Sequence, residues 1–397
     1  MASVDQTTLR WRRKDGTTGK LTATTSGGLA STLGWTDRPD GKEVSFDCAR
    51  SSIDFAGVPG RRIEFDVTET RFQGSGVELA GRLIMPKGKG KVPIVVLVHG
   101  SEHDSARDNY ALQRLFPSEG IGAFVYDKRG TGASGGNYTQ SYLMLATDAI
   151  AAMREAKRLA GARAGRTGYQ GGSQGGWVAP LAARIEPVDF VIVSFGLAVS
   201  PLEEDREAIV LDMTRHGFGT AEIAKAMEVA DATQTVMLSN ASKGYDKVAA
   251  VRAKYGRKPW FKFVRGNFSF IVLDKTEADL RELEPTLAPG IPFQYDPMPV
   301  LRNLSMPQLW ILGEDDIDAP STETARRLKT LTAAGKPITT AVFPHAEHGI
   351  YEYITTPDGT RLSTRQPDGY FRMMRDFITT GRTGASYGAA TLSKPSR

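Results

Sequence analysis

Long apolar runs without polar alternation begin at Val92, and they constrain the fold more than any other feature of the sequence. Strands covered on both faces have near-continuous apolar sequences, and parallel strands need long crossovers, usually helices, between them. Here the runs alternate with helical patterns at 142–160 and 321–335. We therefore predict an α/β fold, a mostly parallel central sheet with helices on both faces. The predicted strands are VPIVVLV, IGAFVYD, GRTGYQ, DFVIVSF, PQLWILG and ITTAVFP.

Other patterns flank and interrupt this region. Short period-2 segments and turn signals near the start indicate a small β module, and two alternating segments joined by QGSG predict a hairpin. A charged, aromatic, helical region lies inside the α/β pattern, and the last residues are small and polar. The predicted division is a β-rich module at 1–60, the first part of the core at 61–199, a helical cap at 200–300, the second part of the core at 301–381 and a flexible tail at 382–397.

Composition limits the class of protein. The chain has 397 residues, 40% of them hydrophobic, enough for one large domain with additions or for two ordinary domains. Cys48 is the only cysteine, which excludes an internal disulfide and a thiolate metal cluster, and its setting predicts a buried small hydrophobe. The net charge of +5 is scattered along the chain, so we expect no nucleic-acid partner.

The sequence contains no apolar stretch of the length that a transmembrane helix needs, and its first residues lack the apolar core of a secretory leader. We expect a soluble chain with no membrane span. Its compartment stays open between periplasmic or secreted, if a leader has been removed, and cytoplasmic otherwise. The sequence does not predict an oligomeric state.

The stretch GYQGGSQGGWVAP, residues 168–180, places five glycines around Ser173. Glycine in an ordered element costs roughly 0.5–1 kcal/mol relative to alanine, so such a cluster usually marks crowded or positive-φ backbone. Residues 171–175 fit Gly-x-Ser-x-Gly, a turn that carries a nucleophilic serine from a strand into a helix. Ser173 is therefore the candidate nucleophile.

A serine hydroxyl needs a base, and histidine is the usual base near neutral pH. Of the five histidines, only His345 and His348 follow the last predicted strand, where a loop would lie above the serine. We predict His348, because Gly349 leaves room for the ring to turn, whereas Pro344 holds His345 nearer the strand. The other histidines are His99, His103 and His216.

The base in turn needs an anion that fixes its tautomer. The segment LGEDDIDAP places four acids directly after a strand. One helix and one return strand separate this segment from His348, so both loops should leave the sheet at the same edge. The pattern itself leaves the choice of acid open among Glu314, Asp315, Asp316 and Asp318.

Backbone N–H groups aimed at a developing oxyanion stabilise it by roughly 3–4 kcal/mol each. Gln174 follows the serine at a helix N-terminus and is predicted to supply one donor. The loop after the first parallel strand, His99-Gly100-Ser101, is predicted to supply the second donor from Ser101.

Together these segments resemble the α/β-hydrolases of the serine esterase kind. The resemblance rests on VVLVHGSEHDSARD, YDKRGTGASGG, GYQGGSQGG, LGEDDIDAP and PHAEHG, which span residues 62–199 and 305–380. It implies an α/β-hydrolase fold and a Ser-His-Asp triad. The family's acid stands three residues after the glycine that ends its strand, which maps onto Asp316 and leaves Asp315 and Asp318 as alternatives. Similar esterases carry His-Gly-Ser-Gly, and here Glu102 replaces the second glycine.

A rival motif, GTGASG at 130–135, satisfies the dinucleotide fingerprint G-x-G-x-x-G. The dinucleotide fingerprint normally follows the first strand of a βαβ unit and opens a helix. Here the motif follows a later strand, IGAFVYD, and no helix is predicted at its last glycine. We therefore predict no organic cofactor. We predict no metal either, since no histidine pair has zinc-site spacing on a helix.

These features predict a carboxylesterase-like serine hydrolase that forms an acyl-enzyme on Ser173. The size of the cap predicts a covered pocket, and its aromatic residues favour a small-molecule ester with an apolar acyl or aromatic group. Most of these rings are nevertheless expected to form the cap's own core. The alternatives are a peptidase, an acyl-CoA thioesterase and a non-catalytic binding protein on the same fold. For the thioesterase, the candidate coenzyme A patch is Lys258, Lys262 and Arg265.

Overall fold

A computed structural model describes residues 2–3, 9–25 and 27–395. Residues 1, 4–8 and 26 of the predicted module and 396–397 of the predicted tail lie outside the described residues. The strands are β1 Ala2–Ser3, β2 Leu9–Arg12, β3 Thr18–Ala23, β4 Leu29–Thr32, β5 Pro39–Asp47, β6 Ser52–Phe55, β7 Val58–Arg61, β8 Phe65–Gln73, β9 Glu78–Pro86, β10 Val92–Val98, β11 Gly122–Tyr126, β12 Ala164–Gly172, β13 Phe190–Ser194, β14 Gln308–Gly313, β15 Ile338–Phe343, β16 Ala346–Glu347, β17 Tyr351–Thr355, β18 Arg361–Arg365 and β19 Thr391–Ser393.

The helices connect and cover these strands. They are α1 Ala106–Asn109, α2 Leu112–Leu115, α3 Tyr142–Ala160, α4 Gly175–Ile185, α5 Pro201–Arg215, α6 Thr220–Leu238, α7 Tyr245–Tyr255, α8 Ser269–Asp274, α9 Glu277–Leu287, α10 Met298–Asn303, α11 Thr322–Ala333 and α12 Tyr370–Thr380. Short 3-10 helices lie at Pro117–Glu119, Gly161–Arg163 and Phe261–Phe263. No helix in the described ranges is long and apolar enough to cross a membrane.

The central sheet has the order β19-β15-β14-β13-β12-β10-β11-β9-β8. Its inner strands from β15 to β11 are parallel, and β19, β9 and β8 add antiparallel edges. The predicted mostly parallel sheet is therefore confirmed. In the ladder Gly172 lies beside Ser194, Ser194 beside Ile311, and Gly313 beside Phe343. The carboxyl ends of these strands consequently reach the same edge of the sheet.

Alternate residues of the inner strands face two apolar cores. In β10, Val96 packs with residues of α3, α4 and α11, whereas Val95 and Leu97 pack with residues of α1 and α12. Each of these three side chains is fully buried. Burial of apolar surface stabilises a fold by about 25 cal/mol per Å², which explains why a two-sided sheet has continuous apolar strands.

The N-terminal module is an antiparallel meander in which β1 to β7 pair in sequence order. It docks on the core beside β18, where the N–H of Gln366 donates to Gly16 O at 2.9 Å and the N–H of Trp35 donates to Ser363 O at 2.9 Å. Cys48, predicted to be buried, is exposed, because β5 ends before it and the chain turns there toward β6.

Helices α5 to α9 lie between β13 and β14 and pack mainly on each other. One of their cores joins Ile209 and Met213 of α5, Val229 of α6, and Trp260. Helix α5 starts with a capping box. The Ser200 hydroxyl accepts from the backbone N–H of Glu203, and the Glu203 carboxylate accepts from the backbone N–H of Ser200.

The C-terminal segment is ordered, and the prediction of a flexible tail is wrong for the residues described there. Strand β19 pairs with the edge strand β15, and Tyr387 is 1% exposed in the core beneath α12. The Tyr387 hydroxyl donates to Asp376 Oδ2 at 2.8 Å and accepts from the Gly384 N–H at 2.7 Å. One buried ring and one strand pair therefore anchor a segment whose small, polar composition indicated disorder.

We predict that Tyr387→Ala lowers the free energy of unfolding by about 3–5 kcal/mol, because it removes a buried aromatic side chain. Tyr387→Phe keeps the ring and should cost only about 1–3 kcal/mol through the lost hydrogen bonds. Chemical denaturation monitored by circular dichroism measures both. Equal stability of wild type and Tyr387→Ala would contradict the anchored tail.

Candidate active site

Ser173 lies in the turn between β12 and α4. Its φ is +51°, a left-handed conformation that is uncommon for a residue other than glycine and costs it about 1–3 kcal/mol. The Ser173 N–H donates to Ser194 O at 3.1 Å on the neighbouring strand. This hydrogen bond holds the serine at the carboxyl edge of the sheet.

Two glycines of the cluster are required by close backbone approach. A Cβ added at Gly171 would lie 2.2 Å from Gly175 O, and one at Gly175 would lie 2.7 Å from Val98 O. Both distances are far inside van der Waals contact. The sharp strand-to-helix turn therefore requires glycine on each side of the serine.

The loops after β14 and β15 bring an acid and a histidine together. His348 Nδ1 lies 3.0 Å from Asp316 Oδ2 and 3.2 Å from Oδ1. Asp316 is 2% exposed and also accepts hydrogen bonds from the backbone N–H groups of Asp318 and Ala319. These contacts fix the carboxylate, and the carboxylate fixes the imidazole ring.

The other candidate acids do not reach this ring. Asp315 accepts from the Tyr353 hydroxyl at 2.8 Å, while Glu314 and Asp318 are exposed. Of the four acids, the structure brings Asp316 to His348.

The remaining histidines lie in other settings. His345 is 88% exposed, and His99 is buried beside Tyr110. His103 stacks on the Tyr138 ring and His216 on Phe263 of the cap.

The electrostatics of the pair favour the imidazolium. Burial lowers the pKa of His348, whereas the hydrogen bond and the negative charge of Asp316 raise it. The increase is the larger of the two effects, so the pKa of His348 lies above the ordinary 6.5. A ring in this state holds a proton more readily than a free histidine does.

The loop after β10 is pinned through its carbonyl groups. The buried Lys128 ammonium donates to Gly100 O at 2.7 Å, and the Tyr138 hydroxyl donates to Ser101 O at 2.6 Å. The backbone N–H groups of Ser101 and Gln174 donate no hydrogen bond to any described residue. They are therefore available to an oxygen placed near Ser173.

Glu102 occupies the place of the glycine in similar esterases. Its carboxylate accepts from the Tyr110 hydroxyl and from the Gly100 N–H at 3.3 Å, and it lies 3.4 Å from His99 Nδ1. Burial lowers the pKa of Lys128 to about 8, although the charge of Glu102 acts in the opposite direction. A carboxylate and an ammonium thus flank the loop that precedes Ser101.

A cavity of about 460 Å³ joins these groups. Ser101, Glu102, Ser173 and His348 line it, together with Arg12 from the N-terminal module. Residues 200–300, all of which are described, contribute nothing to its lining. The expectation of a pocket covered by the cap is therefore wrong, because the cap aromatics pack largely among themselves. The aromatic rings on the cavity are instead Tyr110, Phe195, Tyr351 and Tyr370.

Arg12 was not predicted from the sequence as a site residue. Its contacts are with Tyr351 and Gln366, more than 300 residues away along the chain, so no local pattern marks it. The candidate coenzyme A patch of Lys258, Lys262 and Arg265 lies outside this lining, and Lys262 and Arg265 lie over cap aromatics.

The glycine loop at 130–135 packs as a structural loop around Asp127. The Asp127 carboxylate accepts from the Ser105 hydroxyl at 2.7 Å and from the Ala133 N–H at 3.0 Å. The next helix, α3, begins only at Tyr142. In the described part of the chain, no group of three or more His, Cys, Asp or Glu residues could hold a metal ion.

Ser173 lies at positive φ between a strand and a helix. An acid and a histidine follow it along the chain and lie at the same edge of the sheet. This arrangement and chain order are those of the α/β-hydrolase fold. The chain has the α/β-hydrolase fold. A family model of X-Pro dipeptidyl-peptidases (S15 family) matches residues 75–209. The predicted resemblance to the α/β-hydrolase superfamily is thus confirmed. The family-model match supports a hydrolase on this fold.

Solved structures with this fold include an esterase of Pyrococcus furiosus, 16% identical, with a TM-score of 0.45 over 72% of this chain and 84% of that chain. An acylaminoacyl peptidase of Pyrococcus horikoshii is also 16% identical, with a TM-score of 0.47 over 94% of this chain and 54% of that one. Est1E of Butyrivibrio proteoclasticus, solved with ferulic acid bound, is 15% identical, with a TM-score of 0.43 over 78% and 96% of the two chains. No curated protein matches this chain in sequence.

We predict that the pKa of His348, followed by NMR titration of labelled histidines, lies above 6.5. Asp316→Asn should lower it below that value, because burial then acts without the compensating carboxylate. Asp315→Asn is the matched control and should leave the His348 titration almost unchanged. An unshifted pKa in Asp316→Asn would contradict the pairing.

Proposed function

We propose that this chain is a serine hydrolase that cleaves carboxylic esters, with Ser173 as nucleophile, His348 as general base and Asp316 as the acid that orients the base. The observation that carries the proposal is the hydrogen bond from His348 to the buried Asp316 carboxylate, on a ring that lines the same cavity as Ser173.

The chemistry follows from the roles of these groups. The Ser173 hydroxyl attacks the ester carbonyl as His348 Nε2 takes its proton, and Asp316 stabilises the imidazolium that forms. The backbone N–H groups of Ser101 and Gln174 then donate to the oxyanion of the tetrahedral intermediate. The imidazolium returns the proton to the leaving alcohol, and a water molecule activated by His348 releases the acyl group.

Esters are the preferred substrate class because an alkoxide leaving group needs less help from protonation than an amine does. The aromatic rings of Tyr110, Phe195 and Tyr351 on the cavity suit a small ester with an apolar acyl or aromatic group. This preference comes from the core and its loops and does not involve the cap.

A peptidase is the second candidate, and the match to the X-Pro dipeptidyl-peptidase model favours it. Such an enzyme needs an acid that binds a free amino terminus. Glu102 is the acid on the cavity lining, and its carboxylate already accepts from Tyr110 and Gly100. We therefore expect little cleavage of X-Pro p-nitroanilides, and cleavage faster than that of p-nitrophenyl esters would favour the peptidase.

Turnover of short-chain p-nitrophenyl esters tests the proposal. Ser173→Ala and His348→Ala should each lower kcat by several orders of magnitude, up to about 10⁶-fold, because the two groups act as one unit. Asp316→Asn should lower kcat by about 10⁴-fold through the wrong imidazole tautomer. The absorbance of released p-nitrophenolate measures the rate, and circular dichroism of the same samples shows that each variant is folded.

His345→Ala and Asp315→Asn are the matched controls, since both lie on the same loops without touching the site. Each should retain most of the activity. The proposal is wrong if folded Ser173→Ala keeps wild-type turnover, and the base is reassigned if His345→Ala loses more activity than His348→Ala. Absence of any turnover would favour the non-catalytic binding protein.

A further inference from the structure

Arg12 carries a charge into the cavity of Ser173 from outside the hydrolase core. It ends β2 of the N-terminal module, and its side chain is half-buried. Its Nη1 donates to Gln366 Oε1 at 2.8 Å and its Nη2 donates to the Tyr351 hydroxyl. Both acceptors are neutral.

The position of Arg12 is fixed relative to the reacting groups. Gln366 Nε2 donates to Gly349 O at 3.0 Å, so one amide links the guanidinium to the residue directly after His348. The guanidinium also lies 5.6 Å from the centre of the Tyr351 ring. A guanidinium has five N–H donors, and these contacts use two of them.

The charge of Arg12 has no anionic partner in the described part of the chain. Glu102, which lines the same cavity, is engaged by Tyr110 and Gly100 instead. A partly buried charge without a partner costs free energy, which an anion bound beside it would offset.

A second cavity, of about 310 Å³, continues from this point. It shares Arg12, Asn109, Ala111 and Tyr351 with the first. Its lining also includes Trp11 and Trp35 of the N-terminal module. The space next to Arg12 therefore accommodates a substrate group that extends beyond the reacting ester.

We propose that Arg12 binds a carboxylate of the substrate, so that the N-terminal module selects esters with an acid group remote from the scissile bond. The proposal rests on the ester hydrolysis proposed above and adds its substrate class. Arginine suits this role because its planar fork can hold both oxygens of a carboxylate.

The test compares two p-nitrophenyl esters of equal chain length, the hemiester of adipic acid, with a free carboxylate, and the hexanoate, which is neutral. Wild type should favour the hemiester by about 10- to 100-fold in kcat/KM, the range for a hydrogen-bonded charge. Arg12→Gln should remove this preference, because it should lower kcat/KM for the hemiester at least about 10-fold more than it lowers kcat/KM for the hexanoate. Arg12→Lys keeps the charge but loses the fork, so an intermediate preference is expected.

Calorimetric binding of monomethyl adipate to the Ser173→Ala protein tests the same site without turnover. Adding Arg12→Gln should weaken binding by about 10-fold or more, whereas adding Lys14→Gln, an exposed cation on the same module, should not. If wild type cleaves neither ester, the proposed function fails, and this binding still decides the role of Arg12. Equal binding with and without Arg12→Gln, or a loss of kcat/KM that is equal for both esters, would overturn the carboxylate site.

Discussion

The candidate site depends on the parallel register of the central sheet. Strands β12, β13, β14 and β15 lie side by side with their carboxyl ends level, so the segments that follow them meet at one edge. Ser173, Asp316 and His348 each follow one of these strands. They are therefore brought to the same edge although they are far apart along the chain. A shift of one residue in any of these pairings would move a loop and reverse every buried side chain of that strand.

The charged side chains around the cavity differ in their hydrogen-bond partners. Asp316 is satisfied by two backbone N–H groups and by His348, and Glu102 by Tyr110 and Gly100. The Lys128 ammonium is buried against Gly100 O. Among the described residues Arg12 is bound only to neutral groups, and this difference is the basis for our proposal that the N-terminal module contributes to the substrate site.

The core could be predicted from the sequence because its signals are local. Continuous apolar strands, the glycine cluster at Ser173 and the order of serine, acid and histidine each need only a short window of chain. The choice of Asp316 needed the family resemblance, since spacing left four acids open.

The features that were missed depend on long-range contacts. Tyr387 orders a polar segment by burying one ring under α12, and Arg12 reaches the cavity only because the module docks beside β18. The cap aromatics pack into the cap's own core around Trp260, as expected for most of them. The covered pocket, which was predicted from the size of the cap, is wrong because size alone does not show where the cap packs.

The most direct measurement is peptide mapping by mass spectrometry after reaction of the folded protein with a fluorophosphonate, which modifies an activated serine. A single adduct on Ser173, formed faster as the pH rises through the pKa of His348 and lost in Asp316→Asn, is the predicted result. An adduct on another residue, or an equal rate of modification in Asp316→Asn, would contradict the central claim that the sheet edge assembles these three side chains into one reacting unit.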